Sequence, residues 1–372
     1  MFTHQMTHRR RISTLLFAAP IAIAMMSCTA TEGTSGQEKG GIDETGPYDV
    51  VENWFKPFHE GREQCVLGVF AESPNRIYMV SEIEVPATRP VGNCSSERKV
   101  PGSHSHYIFV VDGNGKLIED WTQWNELFSP KPDGTQGMPH SVKISPYDPD
   151  KHVWVVNRDA HQIHKFTHDG KQLVMTLGER NVAGTDDKHF NLPADLAFFP
   201  DGSFVVADGY GNARVAKFDR NGKFLATWGT PGSGPGQFQL PHGVAIDGQR
   251  RVYVADQRNR RVQIFDENGK YLDEWPHIRG GVYLMVTQDQ AMWLLTGSTN
   301  RLLKYDLNGK LLTYWGTANT TELFSGSLYA AHSFSVDSDG NLYVADYRNK
   351  RAQKFTPKKN ADRSRLVGQP LK

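Results

Sequence analysis

Three histidines stand in the same slot of a recurring pattern. His140, His242 and His332 each open a short apolar run, in PHSVKI, PHGVAI and AHSFSV. The equivalent runs carry Leu67, Ala194 and Gly281 in that slot, so histidine returns in every second unit. Any one of the chain's 14 histidines alone reads as a hydrogen-bonded structural residue, but three in one register do not. Neutral imidazoles suit zinc, copper, iron and nickel, and three nitrogens with an open position are the ligand set of a catalytic zinc. No thiolate or carboxylate converges with them in the pattern, so zinc comes first. Arg158, Tyr210, Gln257-Arg258 and Tyr347-Arg348 lie in loops that return to the end of the units that carries the histidines. A pocket with a metal, a phenol and arginines is therefore expected on one face only.

The elements that would position these groups form a repeat. The clearest copy runs from Pro241 to Trp275, with close relatives from Pro193 and Ala330 and weaker ones from Pro139, Gly280 and Val66. The turns read DGNG, THDG, DRNG, DENG and DLNG, each followed by lysine, and Asn-Gly or Asp-Gly between β-rich runs marks a hairpin. Four short strands per unit, at roughly 40–55 residues per unit, make propeller blades. The reading is all-β: a six-bladed β-propeller over residues 48–357. Trp121, Trp228, Trp275 and Trp315 close their units, with Leu177 in that slot in the second. The last unit lacks a fourth strand, and Tyr48–Trp54 supplies one from the N-terminus, closing the ring and removing two open sheet edges. Alternate blades then face one another across the axis, a third of a turn apart, so the histidines converge.

Residues that follow the repeat serve architecture. Arg214, Arg261, Arg301 and Arg351 all precede the third strand of their units and read as structural. His161, His164 and His168 share no register with other units and read as solvated surface. The basic tail, residues 358–372, is expected to fray.

The N-terminus reads as an address. Arg9-Arg10-Arg11 precede an apolar stretch ending in Met25-Met26-Ser27-Cys28, which gives a signal peptide over residues 1–27 of the lipoprotein type, with Cys28 as the lipid anchor. Residues 28–47 are small, polar and glycine-rich, a flexible tether. The expected location is the cell envelope, periplasmic or cell-surface, with membrane contact through the N-terminal lipid only. In an oxidising compartment Cys65 and Cys94 pair. A net charge of +1 excludes general nucleic-acid binding, and a monomer acting on a small-molecule or peptide substrate is expected.

The segments LPADLAFFPDGSFVVADGYGNARV, GPGQFQLPHGVAID and VADQRNRRVQIF resemble the peptidyl-hydroxyglycine amidating lyases, six-bladed propellers built from NHL repeats. The resemblance covers roughly residues 64–356. It implies that His140, His242 and His332 hold zinc and that Tyr210 is the catalytic phenol. It also implies cleavage of a carbinolamide N–C bond to an amide and glyoxylate. Three departures stand out. Where the family has an arginine on the second strand of the first blade, this chain reads Val80-Ser81-Glu82. A second family arginine falls on Gln257, with Arg258 one place on, so Arg258 is the candidate catalytic arginine and Arg158 and Arg348 are candidates for the substrate carboxylate. The family's acidic calcium ligand is replaced by Ser333. The readings that remain are an exported zinc lyase with a diverged substrate, another zinc chemistry such as hydrolysis, or a non-enzymatic propeller that binds a peptide, glycan or protein.

Overall fold

A computed structural model describes residues 44–371, apart from 89, 91, 93, 95–105, 130–136 and 317–323. The signal segment, Cys28 and the tether up to residue 43 lie outside the described residues. Six four-stranded antiparallel sheets follow one another along the chain. Their inner strands are Arg62–Ser73, Pro139–Ile144, Asp195–Phe198, Pro241–Ile246, Gly281–Val286 and Ser333–Val336, in blades one to six. The second strands are buried on both faces, as in Val252–Asp256, which explains their unbroken apolar composition. The outer strands alternate, as in Phe224–Trp228, because only one face is covered.

Six apolar clusters fill six seams between neighbouring blades. The last seam joins the ends of the chain: Tyr343 and Ala345 of blade six pack with Val66 and Ile77 of blade one, and Trp54 lies in the same cluster. Tyr48–Val50 pairs antiparallel with Arg351–Pro357, Tyr48 opposite Pro357 and Val50 opposite Phe355. The closing tryptophans have a physical role in this ring. Gly269, at φ +86°, brings its hairpin so close to Trp228 of the preceding blade that a Cβ would lie 2.6 Å from the indole. Other hairpin glycines meet the slot residue of the preceding blade in the same way, Gly170 on Trp121 and Gly309 on Trp275. Tryptophan and glycine are thus the two halves of one blade-to-blade contact.

The repeated arginines are paired in three blades. Arg214 bonds Asp208, Arg261 bonds Asp256 and Arg351 bonds Asp346, each through Nε at 2.9–3.1 Å. Blade five departs: Thr296 stands where the others have aspartate, and the buried Nε of Arg301 makes no hydrogen bond.

Two expectations require correction. The tail does not fray. Val367 is buried and its N–H donates to the Tyr48 hydroxyl at 2.8 Å, Pro370 bridges Thr287, and the Leu371 N–H donates to the Val286 carbonyl. Lys304 Nζ holds the Ser364 carbonyl at 2.8 Å, so apolar burial and backbone pairing dock the segment on blades five and six. His164 is not solvated surface either. It is fully buried, with Nδ1 3.0 Å from the Thr176 hydroxyl and Nε2 3.3 Å from the Asn157 amide, and burial pushes its pKa down to about 3. His168 is half-exposed and paired with Glu72 at 2.7 Å.

Candidate metal centre

Blades two, four and six each deliver one imidazole to the axis. The side chain that ends the second strand fixes the approach. Asn157 Oδ1 accepts from the Met138 N–H, Asp256 from Leu240 and Asp346 from Tyr329, at 2.7–3.2 Å, two or three residues before each histidine. The odd blades set the rings. His140 Nδ1 donates to the Ala194 carbonyl at 2.7 Å, His242 Nδ1 to Val282 at 2.7 Å and His332 Nδ1 to Leu67 at 3.0 Å. A carbonyl can only accept, so each Nδ1 carries the proton and each Nε2 presents a lone pair. Ala194 and Leu67 are themselves slot residues of the odd blades, and Val282 follows the third, so the alternation of histidine and small or apolar residue has a reason. Even blades supply the imidazoles and odd blades supply the backbone oxygens that orient them.

The three rings lie 4.5–5.2 Å apart, centroid to centroid, and one nitrogen from each falls within 4.8 Å of the others. Burial holds all three neutral. It drives His140 well below 6.5, with the neighbouring histidines and Arg158 adding to it, and lowers His242 to about 4 and His332 to about 3. Three neutral, pre-oriented imidazoles with a polar acceptor behind each Nδ1 fit a zinc ion. The donors do not fit a calcium ion beside His332. Ser333 donates to the Leu67 carbonyl at 3.0 Å, and that oxygen also takes the His332 bond, which uses both of its lone pairs. Below the rings Asp195 is spent on Lys143 Nζ at 2.8 Å and on Ser141 at 2.9 Å. The cavity there has about 10 Å³, room for about one water.

Tyr210 meets the histidines from blade three. Its hydroxyl donates to His242 Nε2 at 2.8 Å and lies 3.2 Å from His140 Nε2. Gly209 makes this approach possible, because a Cβ there would stand 1.8 Å from the Pro241 carbonyl oxygen. Burial raises the phenol, and the Arg158 guanidinium, 4.7 Å from the ring centroid, opposes that rise. The guanidinium over the phenol is therefore Arg158's. Arg258 and Arg348 are exposed on the wall of the vestibule above the rings, a cavity of about 1040 Å³ that His242, His332, Tyr210 and Tyr347 also line.

Glu82 is the group that the pattern did not place. It is buried on the second strand of blade one and accepts from the Tyr347 hydroxyl. The ring of that tyrosine lies 6.4 Å from His332. Its charge raises both Arg158 and Tyr210. The signal available was the acid itself, at a position where the resembling family carries an arginine. Nearby, Cys65 and Cys94 are joined by a disulfide, which ties the long first hairpin to the loop after it. Disulfides of this kind belong to oxidising compartments. Among the described residues no helix is long and apolar enough to cross a membrane.

An NHL-repeat profile matches residues 190–218 and 238–265. Peptidyl-glycine alpha-amidating monooxygenase B of Xenopus laevis is 30% identical over 283 residues, covering 69% of this chain and 29% of that protein. A probable peptidyl-alpha-hydroxyglycine alpha-amidating lyase of Caenorhabditis elegans is 28% identical over 359 residues, covering 92% of this chain and 98% of that one. The chain thus spans under a third of the first relative and nearly all of the second. Among solved structures, a streptogramin B lyase shares the fold at a TM-score of 0.56 and 12% identity, over 84% of this chain and 98% of that chain. The chain is a six-bladed β-propeller that carries NHL repeats and is similar in sequence to these amidating enzymes.

Proposed function

We propose that this protein is an exported zinc-dependent lyase that cleaves an α-hydroxyglycine carbinolamide into an amide and glyoxylate. One observation carries the reading: a buried tyrosine hydroxyl held at the lone pairs of two of three convergent neutral histidines. His140, His242 and His332 would hold the zinc, which when bound supplies Lewis acidity to the substrate hydroxyl. Tyr210, as phenolate, takes the hydroxyl proton. The carbonyl of glyoxylate forms as the C–N bond breaks, and the same phenol returns the proton to the departing amide nitrogen. Arg158 holds the phenolate form within reach. The substrate carboxylate is assigned to Arg258 and Arg348, which line the vestibule. The relatives' names support a peptide substrate, and the disulfide supports an oxidising location, with Cys28 as the proposed lipid anchor.

The test is glyoxylate release from a peptide ending in α-hydroxyglycine. Removing a general base costs about 10²–10⁴ in rate. Tyr210→Phe should lose activity on that scale while keeping its zinc, and a variant as active as the parent would remove the phenol from the mechanism.

A further inference from the structure

The vestibule does not end at the axis. Arg260 and Arg279 line both the vestibule and a neighbouring cavity of about 590 Å³. Arg279 also lines a third, of about 330 Å³, with Arg301, Thr296 and Thr299. Together the three form a groove that runs outward between blades four and five. Arg258, Arg260, Arg279, Arg301 and Arg348 line it, in a chain whose net charge is only +1. Among the described residues the one carboxylate on its walls is Glu274, already bonded to Arg261 at 2.7 Å. Among the described residues no acid pairs with Arg258, Arg260, Arg279, Arg301 or Arg348. Such a one-sided field is a device for drawing in an anion.

The repeat says where the anion belongs. In blades three, four and six an aspartate at the end of the second strand neutralises the arginine that opens the third. Blade five keeps the arginine and replaces the aspartate with Thr296, leaving the buried Arg301 Nε without a partner and its guanidinium 5.0 Å from the Tyr314 ring centroid. A guanidinium missing the carboxylate that its fold supplies elsewhere is a ready fork for one supplied from outside.

We propose that the groove between blades four and five is a carboxylate subsite, centred on Arg301 and Arg279, that selects peptides with acidic side chains upstream of the reacting end. This rests on the peptide-lyase reading for the word substrate, but its test needs no turnover. A labelled peptide amide with glutamates upstream, and its glutamine twin, are titrated into zinc-loaded protein and followed by fluorescence anisotropy. An exposed pair is worth a factor of about two to five, so two pairs should favour the glutamate peptide about tenfold. Arg279→Met with Arg301→Met should erase the preference and leave the glutamine twin unchanged. Thr296→Asp restores the internal carboxylate. It should raise the melting temperature and also cut the preference to the roughly threefold share of Arg279 alone, which separates a lost subsite from a damaged fold. Equal binding of the twins, an undiminished preference in Thr296→Asp, or full displacement by a sulfated glycan at equal charge would each overturn the proposal. Failure of glyoxylate release with the preference intact would instead count against the lyase reading alone.

Discussion

Arg158 offers a quantitative handle on the phenol. Its guanidinium carbon lies 4.7 Å from the centroid of the Tyr210 ring. At an effective dielectric of about 20 a full charge at that distance stabilises a phenolate by about 3.5 kcal/mol. Asp159, 2.7 Å from Arg158 Nε, opposes the effect, so about half survives. That corresponds to a factor of about 20 in the phenolate population at a given pH. Arg158→Met removes the charge and keeps the stem. If the phenolate is the base, the rising limb of kcat against pH should move upward by more than one pH unit, with zinc content unchanged. The assay is glyoxylate release by zinc-loaded parent and variant across pH 5 to 10. A limb that stays in place with an unchanged plateau would refute the assignment of Tyr210 as the base.

His164 should leave a signature in acid. Its folded pKa, about 3, lies below the unfolded value of about 6.5, so the unfolded chain takes up a proton that the folded blade refuses. Stability is therefore complete above about pH 6.5 and falls as pH drops toward 3, by about 2 kcal/mol at pH 5. Urea unfolding of His164→Gln at pH 7 and pH 5 should show a loss about 2 kcal/mol smaller than the parent's, and an equal loss would contradict it. Tyr48 ties the closing strand to the tail. Tyr48→Phe strands the buried Val367 N–H and should cost about 1–3 kcal/mol in the same assay. It should also speed proteolysis of the C-terminal segment.

The fold was legible because a propeller writes each element several times. A turn such as Asp266-Glu267-Asn268-Gly269 is weak evidence once and strong evidence five times over. The tryptophan slot reflects a contact that every blade must make with the next. The histidine register was legible for the same reason, since alternation around a closed ring converts spacing in sequence into convergence in space. What did not repeat was not legible. Glu82 and Tyr347 meet across the seam between blades one and six, and no pattern links residues that far apart. The arginine over Tyr210 comes from Arg158 and not Arg258, a matter of which loop leans over the ring. His164 looked polar in sequence, yet a Thr176–Asn157 cradle buries it. The docked tail depends on one tyrosine hydroxyl and a few backbone bonds, which charge-rich composition conceals.

The central claim is that three imidazoles, set by carbonyls of the intervening blades, hold a single zinc. Elemental analysis of the purified protein, beside His242→Ala of matched circular dichroism, tests it most directly. The account predicts close to one zinc per parent chain and almost none in the variant. A parent protein that is fully folded yet neither carries zinc nor takes it up would contradict it.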